Sequence, residues 1–308
     1  MAFFFMRPVC HARRVTIAAS PPPASPMLIP IAPGVRLFVD VEGPGLVPDG
    51  ATLREKPTLV LLHGGPGFDH SGFKPAFSCL ADIAQIVYFD HRGHGRSERR
   101  PRDEWTLDTW ADDVVRLCDA LGVARPIVLG QSFGGFVAQR YLARHPGHPA
   151  KVILSSTAPN FGLARKLAMF ERLGGPAARE VAARFWSAPD AASWAAYDRA
   201  CMPLYNTRPP DGDAARRRIV FNLDILFHWV AGEQKTMELR PGLAAARCPV
   251  LVMAGAHDPV CPLDDAKDIA AALPAAWSHL EVFDRSGHGA WRDEPEAAFA
   301  AIRRFIAA

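Results

Sequence analysis

The 308-residue chain has no apolar run approaching the length of a membrane span, so neither a transmembrane helix nor a stable membrane association is expected. Its charge excess is small, +3 from 35 basic and 32 acidic residues, which argues against a nucleic-acid partner. Arginine gathers locally at Arg96, Arg99, Arg100 and Arg102, and again at Arg216, Arg217 and Arg218; such runs read as solvated faces. None of the six cysteines (Cys10, Cys79, Cys118, Cys201, Cys248, Cys261) forms a C-x-x-C pair, so no zinc or redox motif is present. They read as free thiols of a reducing, cytoplasmic compartment. There is no P-loop lysine and no G-x-G-x-x-G after the first strand, which removes the usual phosphate cradles. No internal repeat is found. What remains is 49% hydrophobic and 22% charged, an ordinary globular composition on a chain long enough for a sizeable core.

The N-terminal stretch 1–26 is expected to be a disordered tail. Its Arg13-Arg14 pair precedes too short an apolar stretch for an export signal, and Pro21-Pro22-Pro23 breaks any helix. From Met27 onward, strand-like and helix-like segments alternate. The runs 58–62, 85–89, 126–129 and 249–253 are continuously apolar, as in strands covered on both faces. The segment 106–121 predicts an amphipathic helix with Thr106 or Asp108 as cap and Gly122 as stop. Residues 43–50 read as a turn-rich loop, 77–84 as a helix, 280–283 as a strand and 294–306 as a final helix. Between roughly 159 and 247 the strand-like runs vanish, and helical patterns take over at 163–173, 177–186, 191–197 and 213–230. This texture predicts an α/β fold, a doubly wound and mostly parallel sheet over 27–158 and 248–308 with a helical insertion over 159–247.

One stretch organises the chain: Pro126-Ile-Val-Leu-Gly-Gln-Ser132-Phe133-Gly134-Gly135. A buried strand runs into G-x-S-x-G and then into a helix, which is the context of a nucleophile elbow. Ser132 is the candidate nucleophile, and a serine hydroxyl needs a base to take its proton. On this architecture the acid and then the histidine follow the serine, each after a strand. Beyond the start of the insertion, the histidines are His228, His257, His279 and His288. His228 falls in the helical block, and His279 is read as lying just before a strand. His288 follows the strand 280–283 among small residues and is the candidate base. Asp258 follows the strand 249–253 and is the candidate acid; Asp264, Asp265 and Asp284 are rivals. An oxyanion hole needs two amide donors. Phe133, directly after the nucleophile, offers one; the turn His63-Gly64-Gly65-Pro66-Gly67 offers the other, from Gly65 first or Gly64 next.

Together these motifs resemble the α/β-hydrolase fold superfamily over 27–308. The set His63-Gly-Gly-Pro-Gly67, Asp90-His-Arg-Gly-His-Gly-Arg-Ser97 and Gly130-Gln-Ser-Phe-Gly-Gly135 is more narrowly similar to the proline iminopeptidase-like serine peptidases. The resemblance implies a Ser132–Asp258–His288 triad, a helical cap over the site, and a supporting role for Asp90, Arg92, Gly93 and Ser97. It implies removal of an N-terminal amino acid through an acyl-enzyme, with no metal or organic cofactor and a small molecule or short peptide as substrate. Such peptidases hold the substrate ammonium with cap carboxylates. The cap here departs from that pattern, reading Arg218-Ile-Val-Phe-Asn222-Leu-Asp224-Ile-Leu-Phe-His228-Trp229. Asp224 and Glu233 are the acids nominated for the ammonium, and Phe227 and Trp229 for an apolar pocket. The alternatives are a carboxylesterase, a lactonase or a C–C bond hydrolase of the same fold. From another class, a small-ligand binding protein built on a hydrolase fold is the alternative.

Overall fold

The computed structural model describes residues 27–209 and 214–308. The expected tail 1–26 lies outside the described residues, as does Asp213 at the head of the expected helix 213–230. The strands are β1 (Met27–Ala32), β2 (Val35–Glu42), β3 (Leu46–Asp49), β4 (Thr52–Glu55), β5 (Thr58–Leu62), β6 (Gln85–Phe89), β7 (Ile127–Gln131), β8 (Lys151–Ser155), β9 (Val250–Gly255) and β10 (Ser278–Phe283). Eight of them form one sheet in the order β1-β2-β6-β5-β7-β8-β9-β10. Pairing is antiparallel at the β1-β2-β6 edge and parallel from β6 to β10. The expectation of a mostly parallel, doubly wound sheet is met.

Both faces of the sheet are covered, which is why its central strands read as unbroken apolar runs. Along β5, Val60 and Leu62 enter one core cluster while Leu59 and Leu61 enter the other. The first cluster is closed by α1 (Leu107–Leu121) and α2 (Phe133–Arg144). Helix α1 starts where expected: Thr106 accepts the Thr109 N–H, and Gly122 stops it at φ 70°.

The insertion between β8 and β9 carries α3 (Leu163–Ser187), α4 (Ala191–Ala200), α5 (Ala214–Arg218), α6 (Leu223–Ala231) and α7 (Arg240–Leu243). Its two ends are tied together by a bridge between Asn160 and Glu238. Helices α8 (Leu263–Ala272), α9 (Ala290–Asp293) and α10 (Pro295–Ala307) complete the chain.

Several local expectations are corrected. The loop 43–50 runs into a two-stranded hairpin, β3 with β4. The segment 77–84 is a short 3-10 turn, Ala76–Leu80, rather than a helix. The pieces 163–173 and 177–186 abut across a kink where Gly175 takes φ 75° ahead of Pro176. The expected helix to Val230 is interrupted between α5 and α6, where Asn222 meets the loop after β5. His279 lies within β10 rather than before it. Among the described residues no helix is long and apolar enough to cross a membrane.

Candidate active site

The parallel strands end together on one edge, and sequence order reverses about β5, whose neighbours are β6 and β7. Ligands of open α/β sheets bind at such a reversal, outside the carboxyl ends. Ser132 stands there, between the last residue of β7 and the first of α2. It is one of two non-glycine residues with positive φ among those described, at φ 56°, ψ −116°. Backbone strain of this kind costs about 1–3 kcal/mol and persists only where the surroundings enforce it. Here the Ser132 N–H donates to Ser155 O at 2.9 Å, and its carbonyl accepts from Gly135 N and Thr157 Oγ1, both at 2.9 Å. The flanking glycines are needed for space. A Cβ on Gly130 would stand 2.3 Å from Gly134 O, and one on Gly134 only 2.0 Å from Leu62 O.

Two of the three oxyanion candidates, Phe133 and Gly64, lie next to the serine. Phe133 is the first residue of α2, so its N–H has no carbonyl one turn back within the helix. The turn after β5 lies alongside: a Cβ on Gly64 would touch Gln131 O at 3.3 Å and Ser132 Cβ at 3.4 Å. Gly65 takes φ 128°, a conformation closed to most side chains. His63 braces this turn, with Nδ1 2.8 Å from Gly64 O and Nε2 accepting from the His91 N–H at 3.1 Å.

His288 and Asp258 are brought together. His288 Nδ1 lies 2.8 Å from Asp258 Oδ2, a bond that places the proton on Nδ1 and leaves Nε2 as the free lone pair. The other carboxylate oxygen accepts from Val260 N at 2.8 Å and Cys261 N at 2.9 Å. Asp258 is fully buried, while Ser132 and His288 keep 8% and 7% exposure. The acid is thus sealed, and the two groups that would meet substrate are reachable. The buried Cys261 thiol is close enough for its sulfur to lie within 4.8 Å of ligand atoms on Asp258 and His288. Burial pushes that thiol well up, so it stays protonated and unreactive. Two of the three rival acids are engaged elsewhere, Asp265 with Arg165 at 2.8 Å and Asp264 with Lys267 at 2.8 Å, and the third, Asp284, is exposed.

The insertion grips each of the three loops. Asn222 N donates to Gly67 O at 2.7 Å and Val220 N to Asp69 Oδ2 at 2.8 Å, beside the glycine turn. The buried Lys166 ammonium donates to Val260 O at 2.6 Å, beside the acid. The His288 N–H donates to Tyr205 O at 2.6 Å. Phe68 of the turn meets Phe221 and Trp194 of the insertion edge-on, at 5.0 and 6.3 Å, giving an aromatic wall.

The four nominated substrate contacts are not assembled there. Helix α6 turns Ile225, Leu226, Trp229 and Val230 inward. Trp229 is fully buried beneath the elbow, 5.4 Å from the Phe133 ring and 5.9 Å from Trp110. Asp224 sits on the opposite side, 70% exposed and 4.0 Å from Arg102. With Phe227 it lines an outer hollow of about 450 Å³ that contains neither Ser132 nor His288. Glu233 accepts the Leu107 N–H at 3.0 Å, capping α1. The loop 90–97 supports the architecture. Asp90 accepts from His70 N and Arg96 N, Arg92 forks onto Asp113, and Ser97 links Phe38 N to Asp90 O. Sequence reasoning passed over Lys166, Tyr205 and Asn222, because nothing in the pattern says which insertion residues return to the sheet.

A model of the alpha/beta hydrolase fold family matches residues 57–295. A proline iminopeptidase, PfmaB of Pestalotiopsis fici, is 27% identical over 281 residues, covering 87% of this chain and 98% of its own length. The solved proline iminopeptidase of Mycobacterium smegmatis superposes with TM-score 0.74 at 22% identity, over 92% of this chain and 97% of that one. The esterase RhEst1 of Rhodococcus sp. ECU1013 does so with TM-score 0.68 at 25% identity, over 92% and 99%.

Proposed function

The chain belongs to the alpha/beta hydrolase fold family, and from that premise we propose that it is a serine hydrolase working on a small acyl substrate through an acyl-Ser132 intermediate. The observation that carries the reading is the strained Ser132, held against Gly64 and at the head of α2. In this reading His288 Nε2 takes the Ser132 proton as Oγ attacks the carbonyl, and Asp258 steadies the imidazolium through Nδ1. The Phe133 amide and one from Gly65 or Gly64 hold the oxyanion. His288 then gives its proton to the leaving group and activates the water that releases the acid.

Within that class, a neutral ester or lactone is favoured over a peptide with a free α-ammonium. A desolvated ammonium needs a paired anion, and the nominated acids are committed elsewhere, Glu233 to the head of α1 and Asp224 to solvent and Arg102. The second reading, removal of an N-terminal amino acid, is supported by the relative named proline iminopeptidase. A fluorophosphonate probe tests the common step: the wild type labels and Ser132→Ala does not. A panel of nitrophenyl esters, a homoserine lactone and proline or alanine anilides with and without N-acylation tests the substrate. Ester turnover with anilides indifferent to N-acylation supports the first reading; loss of anilide cleavage on N-acylation supports the second. A wild type that neither labels nor turns over any of them sinks both and leaves a ligand-binding role.

A further inference from the structure

Asp293, at the end of α9, is buried at 2% exposure, and no cation is paired with it among the described salt bridges. Its charge is met by four N–H donors. Oδ1 accepts from Thr207 N at 3.1 Å and Arg208 N at 3.0 Å; Oδ2 accepts from Asn206 Nδ2 at 3.1 Å and Gly287 N at 2.7 Å. Three of these donors belong to the insertion, and the fourth is the residue before His288. A carboxylate satisfied by several N–H groups is a strong and directional anchor. Around it the backbone of the histidine loop is held on both sides. The His288 N–H donates to Tyr205 O at 2.6 Å, His288 O accepts from Asn206 Nδ2 at 3.1 Å, and the Gly289 N–H donates to Ser156 Oγ at 2.9 Å. The fit is close as well: a Cβ on Gly287 would stand 2.1 Å from Tyr205 O.

We propose that Asp293 is a positioning residue for His288, locking the segment 205–208 of the insertion and the histidine loop into one rigid unit. The inference rests on the serine-hydrolase reading. In this reading that edge of the insertion is part of the catalytic frame.

Asp293→Asn keeps the shape but leaves one amide group facing two N–H donors, whichever way it lies. Displacing the histidine by about 1 Å costs about 100-fold in rate, so kcat on the best ester of the panel falls by roughly 10- to 100-fold with KM within about 3-fold. Labelling of Ser132 by the fluorophosphonate slows in parallel, measured well below the melting temperature of each variant. Asn206→Ala is the milder change, expected to lower kcat about 3- to 10-fold; combined with Asp293→Asn it adds less than its own effect, because both act through one hub. Wild-type kcat in either folded variant, or a loss confined to KM, overturns the assignment. A wild type that fails to label at Ser132 instead defeats the serine-hydrolase reading and leaves the clamp to be read from loop protection in hydrogen exchange. There, faster exchange at Gly287 and His288 in Asn206→Ala supports the clamp, and unchanged exchange refutes it.

Discussion

Gly134→Ala is the sharpest probe of the elbow. The added Cβ would stand 2.0 Å from Leu62 O and 2.8 Å from His63 O, both backbone atoms of the β5 end that cannot swing aside. Ordinary contact would require the head of α2 to withdraw from β5 by about 1 Å or more, and an overpacking of this size costs about 1–3 kcal/mol. The same movement separates the Phe133 amide from the Gly64 turn, so the two halves of the proposed oxyanion site no longer converge. A misplacement of that size costs about 100-fold in rate. The assay is the second-order rate of fluorophosphonate labelling at Ser132, beside a thermal melt. Gly147→Ala is the control, since a Cβ there meets nothing within 4 Å. If Gly134→Ala labels at the wild-type rate, the claim that the elbow is held by backbone crowding is wrong.

Other perturbations address the proposed triad and the pH response. Asp258→Asn keeps an oxygen for Val260 N and Cys261 N but turns an N–H toward His288 Nδ1, forcing the other tautomer; kcat should fall about 10⁴-fold at similar stability. A drop under tenfold would remove Asp258 from the triad. Acid sensitivity should be read at the buried imidazoles. Burial, then the neighbouring His63, lowers His94 to about 3, and burial lowers His91 well below the usual value. A folded value below the unfolded one gives stability that is present above pH ~6.5 and drains away as pH falls towards the folded value. Among the described residues neither ring nitrogen of His91 has a hydrogen-bond partner, so His91→Leu should raise stability by about 1–3 kcal/mol at neutral pH and more in acid. A variant that denatures at higher pH than the wild type would refute this. Glu233 runs the opposite way. Burial raises its carboxyl in spite of the Leu107 N–H, so its contribution is present in acid and lost as pH rises through the folded value. In thermal melts across pH, Glu233→Gln should gain on the wild type from acid towards neutral; a gap that narrows instead would contradict the assigned sign.

The sheet and the placement of Ser132, Asp258 and His288 at strand ends were legible because each depends on local pattern. Unbroken apolar runs mark strands covered on both sides, and the turn after each carries small residues. Trp229 and Asp224 were harder. The inward set Ile225, Leu226, Trp229 and Val230 already has helical spacing, and it puts the tryptophan under Phe133 and the aspartate outside. Read by period rather than by residue type, that helix would have lost its role as a pocket wall. Asp293 carries no such signal. It looks like an ordinary acid ahead of a helix, and three of its four donors come from chain 85 to 87 residues away while the fourth is six residues away. A carboxylate's partners across such a gap are set by how the insertion folds back, which no local pattern encodes.

The sheet order bears on how the chain is made. Strand β8 pairs with β7 on one side and with β9 on the other, and the whole insertion separates β8 from β9 in sequence. At a synthesis rate of about 5–20 residues per second, roughly 5–20 s pass between the emergence of β8 and of β9. Through that interval a parallel, apolar strand edge stands open, the kind of surface that recruits other chains. The helices of the insertion carry no strand for it, and its partner in the folded sheet is β9. A nascent chain stalled within the insertion would therefore carry a complete elbow, neither Asp258 nor His288, and an exposed edge of the kind that recruits chaperones.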